Sequence, residues 1–280
     1  MSDVELSIED KIKIASGFLL SSPPGEVNDV FNDIRGIIND DAALQQHITP
    51  ALEEYNIDQL QTVTLPETEH AVIISKYNRV DADHFVDPRS KQIFKFDHLR
   101  QTATDPQPHT VEEAQEELRL AVDDAVQKYV AEHYPEGASL VHIDEQQLTL
   151  LVVSNKYSPS NFWNGRWRSV WTVDLAARQV KGTAKVLVHY YEQGNIQLNS
   201  DRSFELECDA NPAEDPAAFA RVLLRTIGRA EKEYHLAIND TYGQLSESIF
   251  KGLRRNLPVT RSKIDWDKIL NYKLPTELSK

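Results

Sequence analysis

The stretch from Asp215 to Leu253 places the tightest constraint on what this chain can fold into. Asp215-Pro216 is a helix start, a capping carboxylate followed by a proline suited to the first turn. Beyond it Phe219, Leu223, Ile227, Ala230, Tyr234, Ile238, Tyr242, Leu245, Ile249 and Leu253 keep a step of three to four residues. At ~1.5 Å per residue this is a rod of roughly 55 Å, apolar along one side. Upstream lie strand-like segments at about 138–143, 147–155, 165–174, 179–191 and 195–207, joined mostly by short polar turns such as Glu192-Gln193-Gly194-Asn195. Short connections require antiparallel pairing, so a five-stranded meander is expected. At about 4.8 Å between strands such a sheet is too narrow for the rod. Half of the rod's apolar face needs another surface, which implies a partner subunit.

The earlier chain reads as two smaller pieces. Ile8, Ile12, Ala15 and Leu19 form a first helical stripe that stops at Ser21-Ser22-Pro23-Pro24-Gly25. Val27, Val30, Phe31, Ile34 and Ile38 form a second, and Leu44, Ile48, Leu52 and Tyr55 a third, with a bend expected at Pro50. Three short helices with tight turns bury their stripes as an antiparallel bundle. From Val63 to Leu99 the pattern shifts to β-rich pieces, Ala71–Ser75 and Gln92–Phe96, and the Thr104-Asp105-Pro106-Gln107-Pro108 run is read as their terminator. Thr110 and Glu113 then form a capping box for a helix with the stripe Ala114, Leu118, Val122, Val126 and Tyr129 or Val130, ending at Pro135 and Gly137. In Trp167-Arg168-Ser169-Val170-Trp171-Thr172-Val173, alternation puts both tryptophans and Val173 on one face, expected to meet a helix, and Arg168, Val170 and Thr172 on the other.

Several function classes are set aside. No apolar run approaches the roughly 20 residues of a membrane helix, and Met1-Ser2-Asp3-Val4-Glu5-Leu6 has no signal-like character, so a cytosolic chain is expected. The lone Cys208, beside Glu205, Glu207 and Asp209, reads as structural. No phosphate loop, His-Glu-x-x-His, cysteine pair or nucleophile elbow is present. An enzyme is therefore not expected, nor any cofactor or metal. Asp81, Asp83 and Asp87 imitate a calcium loop, but Val86 replaces its glycine and Gln92 its bidentate glutamate. His84 and His98 read as structural histidines. Asn161 to Trp171 interleaves aromatics with arginines as a base-stacking surface would, yet the chain carries a net charge of −14 and alternation buries the tryptophans, so nucleic acid is not expected.

The charge is unevenly placed. Residues 251–280 hold eight Lys or Arg against three Asp or Glu, a local +5, which leaves −19 on the rest. Pro258 ends any helix before it. Past it Trp266, Ile269, Leu270 and Leu274 recur at helical spacing, with Arg261, Lys263 and Lys268 available to flank them. Such a segment either lies in another protein's groove or folds back on its own core.

Long segments throughout the chain resemble the alpha-subunit family of F-actin-capping protein (CapZ). They include Pro23-Pro24-Gly25-Glu26, Asp87-Pro88-Arg89, Phe94 to Arg100, Asp105 to Pro108, Asn161-Phe-Trp-Asn-Gly-Arg-Trp-Arg-Ser169, Val188-His-Tyr-Tyr-Glu192 and Leu253 to Trp266. The resemblance implies an α+β fold: a three-helix stalk (1–62), a small β subdomain (63–109), a central antiparallel sheet with flanking helices, one of them long (110–252), and an amphipathic actin-binding tail (253–280). It implies an obligate heterodimer with a beta subunit that completes the sheet. The pair would cap the barbed end of F-actin, independently of calcium, in the cytoplasm at the actin cytoskeleton and cell cortex. The actin-binding residues it implies are Lys251, Arg254, Arg255, Arg261, Lys263, Trp266, Lys268, Ile269 and Leu270, with Lys251 and Arg255 also meeting anionic phosphoinositides. Residues 275–280 match nothing and receive no role. Capping of the actin-related filament of dynactin is the alternative the family leaves open.

Overall fold

The computed structural model describes residues 7–40, 44, 47–66, 68–109, 115–192 and 194–244. Among the described residues three helices come first: α1 (Ile8–Leu20), α2 (Val27–Ile38) and α3 (Thr49–Asp58). The Ser7 hydroxyl caps α1 by accepting from the Asp10 amide. The other end closes at Ser21 and Ser22, whose hydroxyls donate back to Gly17 and Phe18 carbonyls before the two prolines. Ala15, Leu19, Val27, Ile34, Leu44, Ile48, Leu52 and Tyr55 make one core. Pro50 sits in the first turn of α3, where its missing N–H is no loss, so it starts the helix instead of bending it. Burial pushes the Tyr55 phenol up to about 12, and its hydroxyl donates to the carbonyls of Ser22 and Pro23.

Next come a hairpin of β1 (Thr62–Thr64) and β2 (Ala71–Ile73), and a three-stranded antiparallel sheet of β3 (His84–Asp87), β4 (Gln92–Asp97) and β5 (Thr102–Pro108). Val63, Leu65, Val72, Ile74, Phe85, Phe94 and Phe96 form their shared core. The run at 104–108, expected to terminate this piece, is the end of β5. Its prolines are tolerated because β5 is an edge strand, with a register shift between Ile93 and Lys95 on its neighbour.

The main sheet is the expected meander, β6 (Ala138–Asp144), β7 (Gln147–Ser158), β8 (Trp163–Asp174), β9 (Gln179–Tyr190) and β10 (Ile196–Glu207), each antiparallel to the next. Two helices flank it in sequence, α4 (Glu116–His133) and α5 (Pro216–Gln244). Leu118, Val122, Val126 and Val130 of α4 are buried as expected; the capping box before it, Thr110 and Glu113, lies outside the described residues. The two sheet faces do different jobs. Trp167, Trp171 and Val173 are buried on the α5 side, while on the opposite face Leu140, Leu151 and Val153 pack with Leu60 and Ile73. Gly182, opposite Trp171 on β9, makes the first face possible: a Cβ there would come within 2.2 Å of the indole.

The chain divides into two compact units, residues 1–231 and 232–280. In the first, the α5 stripe of Phe219, Leu223, Ile227 and Ala230 is buried. In the second, the described residues are the last turns of α5. Tyr234 there is buried, residues 235–241, 243 and 244 are not, and Leu236 is 54% exposed. Of the stripe positions after Tyr234, Ile238 is half-buried, and the half of the rod expected to be uncovered lies mostly outside the described residues. Leu245, Ile249 and Leu253 lie outside the described residues.

His98 makes the fold sensitive to acid. The Asn56 amide nitrogen donates to its Nδ1 at 3.3 Å, its Nε2 points at the Ala82 carbonyl at 3.4 Å, and Phe85 and Phe96 pack edge-on. A carbonyl only accepts, so the ring is the neutral tautomer with its proton on Nε2. Burial depresses its pKa in the folded state, and His142 is depressed for the same reason. The unfolded chain takes up these protons near pH ~6.5, so stability is full above that pH and is lost as pH falls through the lower folded values. The urea midpoint should drop between pH 7.5 and 5, and His98→Gln should flatten that drop without abolishing it. An equal slope in the variant would exclude His98 as a cause.

Candidate functional site

The Asn161–Trp171 segment, with its aromatics and arginines, begins in a single 3-10 turn (Pro159–Asn161) and continues as β8. On one face Asn164, Arg166 and Arg168 are all buried. The Asn164 amide donates to Glu26 Oε1 at 2.9 Å, and His189 Nδ1 reaches the same oxygen at 2.7 Å. Arg166 donates to Asn155 Oδ1, the Tyr157 hydroxyl, Gln61 Oε1 and the Gln59 carbonyl. Arg168 Nη1 donates to the carbonyl and the carboxylate of Asp58. The two arginines are spent tying the end of α3 and the residues after it to the sheet, and Asn164 with His189 ties the α1–α2 turn. Gly25, at φ +79°, completes the turn with the Tyr157 ring beside it.

The other face of β8 meets a group that the sequence reading missed. Glu231, on α5 and 1% exposed, accepts from the hydroxyls of Tyr129 at 2.6 Å and Tyr134 at 2.5 Å and from the Trp171 indole at 3.0 Å. Its charge is met by three neutral donors, and both tyrosines are held well above the ordinary phenol range by burial and by the carboxylate. Tyr134 also stacks on Trp167. The available signal was Glu231 lying within the apolar stripe, between Ile227 and Tyr234, where a solvated glutamate has no reason to be.

The remaining polar candidates are also structural. Asp81 accepts from the amides of Asp83 and His84 and from the His84 ring, and Asp87 from the amides of Arg89 and Ser90 and from His70. Both carboxylates are thus turn caps. Arg89 makes a two-pronged pair with Asp123, tying the β3–β4 turn to α4. Cys208 is buried, and burial raises its pKa, which keeps it a thiol.

What stays open is an edge. Among the described residues no strand pairs with the outer side of β10, whereas β6 at the other edge is mostly buried. Ile196 is 64% exposed, Leu198 is exposed, and Trp163, Val186, Val188 and Tyr190 beside them on the same face are half-buried. This is an apolar face that runs to an unpaired strand. All nine residues assigned to actin, Lys251, Arg254, Arg255, Arg261, Lys263, Trp266, Lys268, Ile269 and Leu270, lie outside the described residues, as do the two assigned to phosphoinositides.

Comparison with known proteins gives one consistent answer. The sequence profile of the family described as F-actin capping protein alpha subunit matches residues 15–277. The F-actin-capping protein subunit alpha of Chaetomium thermophilum is 38% identical over 98% of this chain and 97% of its own length. That of Caenorhabditis elegans is 36% identical over 98% and 99%, and that of Arabidopsis thaliana 32% over 99% and 95%. Among solved structures, the homodimeric actin capping protein alpha subunit of Plasmodium berghei superposes with a TM-score of 0.77 at 25% identity, covering 91% of this chain and all of that one.

Removing the buried acceptor should be costly. Glu231→Ala removes the acceptor shared by three buried donors, each such loss costing about 1–3 kcal/mol, and should lower the melting temperature by on the order of 10 °C. Glu231→Gln, which keeps the shape and one acceptor, should lose less. A melting curve followed by tryptophan fluorescence tests this; an unchanged Ala variant would mean the three donors are satisfied by other partners.

Proposed function

Because the chain belongs to the F-actin capping protein alpha subunit family, we propose that it is one half of a heterodimer with a capping protein beta subunit, and that this pair occupies the barbed end of an actin filament. The observation that carries the dimer is the open β10 edge with its exposed apolar face, which a strand and helix from a second chain would cover. The Plasmodium berghei relative is described as a homodimer, so a second copy of this chain is the competing occupant. Capping needs no bond-making. A body bound at the filament end blocks both gain and loss of subunits, and no residue of this chain has to act as acid, base or nucleophile. Calcium independence is supported by Asp81 and Asp87, whose carboxylates are committed to turn amides and histidines.

The tail supplies the contact to actin in this reading. Lys251, Arg254, Arg255, Arg261, Lys263 and Lys268 speed encounter with an acidic filament end, and Trp266, Ile269 and Leu270 slow departure once desolvated. The same cations favour anionic phosphoinositides, with Lys251 and Arg255 as the contact. Such a protein works in the cytoplasm, at the actin cytoskeleton and cell cortex.

Elongation from filament seeds, with the chain co-expressed with a beta subunit, separates the two contributions. Replacing Lys251, Arg255 and Arg261 with alanine should slow capping and flatten its salt dependence, since exposed charges act over about 8 Å at physiological salt. Deleting residues from Ile264 onward should instead raise the off-rate, by up to about 1.5–3 kcal/mol for each fully buried apolar side chain. Unchanged capping by both variants would remove the tail as the site, and loss of melting temperature together with capping would place it on the protein's own core. Vesicles containing phosphoinositide should weaken capping, by roughly 1 kcal/mol for each basic residue engaged. Equal inhibition by uncharged vesicles would rule out electrostatic competition.

A further inference from the structure

Residues of β10 alternate cleanly between the two faces of the sheet. Ile196, Leu198, Ser200, Arg202, Phe204 and Leu206 lie on the side of Trp171, whose ring centroid is 5.1 Å from that of Phe204. Gln197, Asn199, Asp201, Ser203, Glu205 and Glu207 lie on the other. A second copy adding its own β10 antiparallel to this edge has few choices. Opposed residues of an antiparallel pair share a face, so matching the two faces requires a register centred on a residue. Two such registers use nearly all of the strand. Centring on Asp201 matches Phe204 with Leu198 and Leu206 with Ile196, but it sets Asp201 against the partner's Asp201. Centring on Arg202 matches Leu198 with Leu206, but it sets Arg202 against the partner's Arg202. Sliding to Ser200 removes the clash, shortens the overlap to residues 196–204 and puts Arg202 opposite Leu198. Lys185, opposite Asp201 on β9, is the cation nearest in the ladder, and it lies on the inner side, where it offsets part of the repulsion without removing it.

We propose that Asp201, seconded by Arg202, selects against self-pairing at this edge and admits a strand of a different chain. That strand presents a Lys or Arg opposite Asp201, no cation opposite Arg202, and apolar residues on the Trp171 side. Asp201 is exposed on a strand with an open edge, so its charge is available to the incoming strand. The inference rests on the heterodimer reading above and names the residue that would enforce it.

Two differently tagged full-length copies, co-expressed in one cell, test it. The fraction of the second tag recovered with the first is read in the dimer peak of a sizing column. Replacing Asp201 in both copies by Asn should raise that fraction about fivefold over the wild-type pair, the effect of one like-charged cross-strand pair. Asp201→Lys in one copy against wild type in the other should raise it further. Asn199→Asp in both copies alters charge two residues away, opposite Ser203 in the register centred on Asp201, and should change it less than twofold. Equal pairing of the wild-type and Asn variants, no pairing in any combination, or an Asn199→Asp effect as large as that at Asp201 would overturn the proposal. A beta subunit co-expressed in a second set keeps the two readings apart. If Asp201→Lys retains it as well as wild type does, selection by Asp201 fails and the heterodimer stands. If the wild-type chain retains none, the heterodimer reading fails while the tagged-copy result still decides the role of Asp201.

Discussion

The indole of Trp171 lies over Gly182 and points its N–H at Glu231, and that contact organises much of the body of the molecule. A buried carboxylate with no cation beside it among the described residues is tolerable only if its lone pairs are filled by donors held in place beforehand. Tyr129 and Tyr134, at the end of α4 and just past it, supply two of them, so one oxygen atom joins α4, its C-terminal turn and α5. The indole supplies the third and brings in the sheet. Hydrogen-bond geometry leaves α5 little freedom to rotate about its axis without orphaning a donor. Apolar packing by Phe219, Leu223 and Ile227 alone would tolerate small slips.

On the opposite face the joint is made in another way. Arg166 is buried with neutral acceptors only, and Arg168 with one carboxylate, and both reach back about a hundred residues in sequence to the turn after α3. Guanidinium forks suit this task because several donors leave one rigid plane in different directions. The long aromatic and arginine-rich segment is thus a two-sided bracket. Its tryptophans hold the helices, and its arginines hold the N-terminal bundle.

That division explains what could be read from the sequence and what could not. Period alone placed the five strands, the α4 stripe and the α5 rod, because each has one buried face and one solvated face. Alternation also put Trp167 and Trp171 on the helix side correctly. Chemistry at a distance was not legible. Nothing local in Arg166 says that its acceptors are Gln59 and Gln61, and Glu231 looked like any helix glutamate until the tyrosines around it were placed. Prolines misled in two places, at Pro50 and at Pro106 and Pro108, because the residue marks a restriction on φ and a missing donor. A helix start and an edge strand accommodate that restriction as readily as a turn does. The residues assigned to actin and to phosphoinositides rest on composition and family resemblance alone, since all of them lie beyond Gln244.

A protein that works by occupying an end needs a rigid body more than a reactive centre, and the placement of polar groups fits that demand. The histidines and carboxylates that could have been mistaken for chemistry are committed to caps, turns and brackets: His70 to Asp87, His84 to Asp81, His189 to Glu26, and Glu231 to its three donors. Each of these contacts joins two parts of the body or closes one of its turns. In the proposed reading, recognition falls to the β10 edge, unpaired among the described residues, and to the basic, tryptophan-bearing tail. The edge offers backbone hydrogen bonds, which any strand can take, and the role proposed for Asp201 and Arg202 is to reject wrong partners there. A cationic tail attracts any acidic surface, so if the tail binds actin as proposed, its discrimination has to come from apolar residues such as Trp266, Ile269 and Leu270.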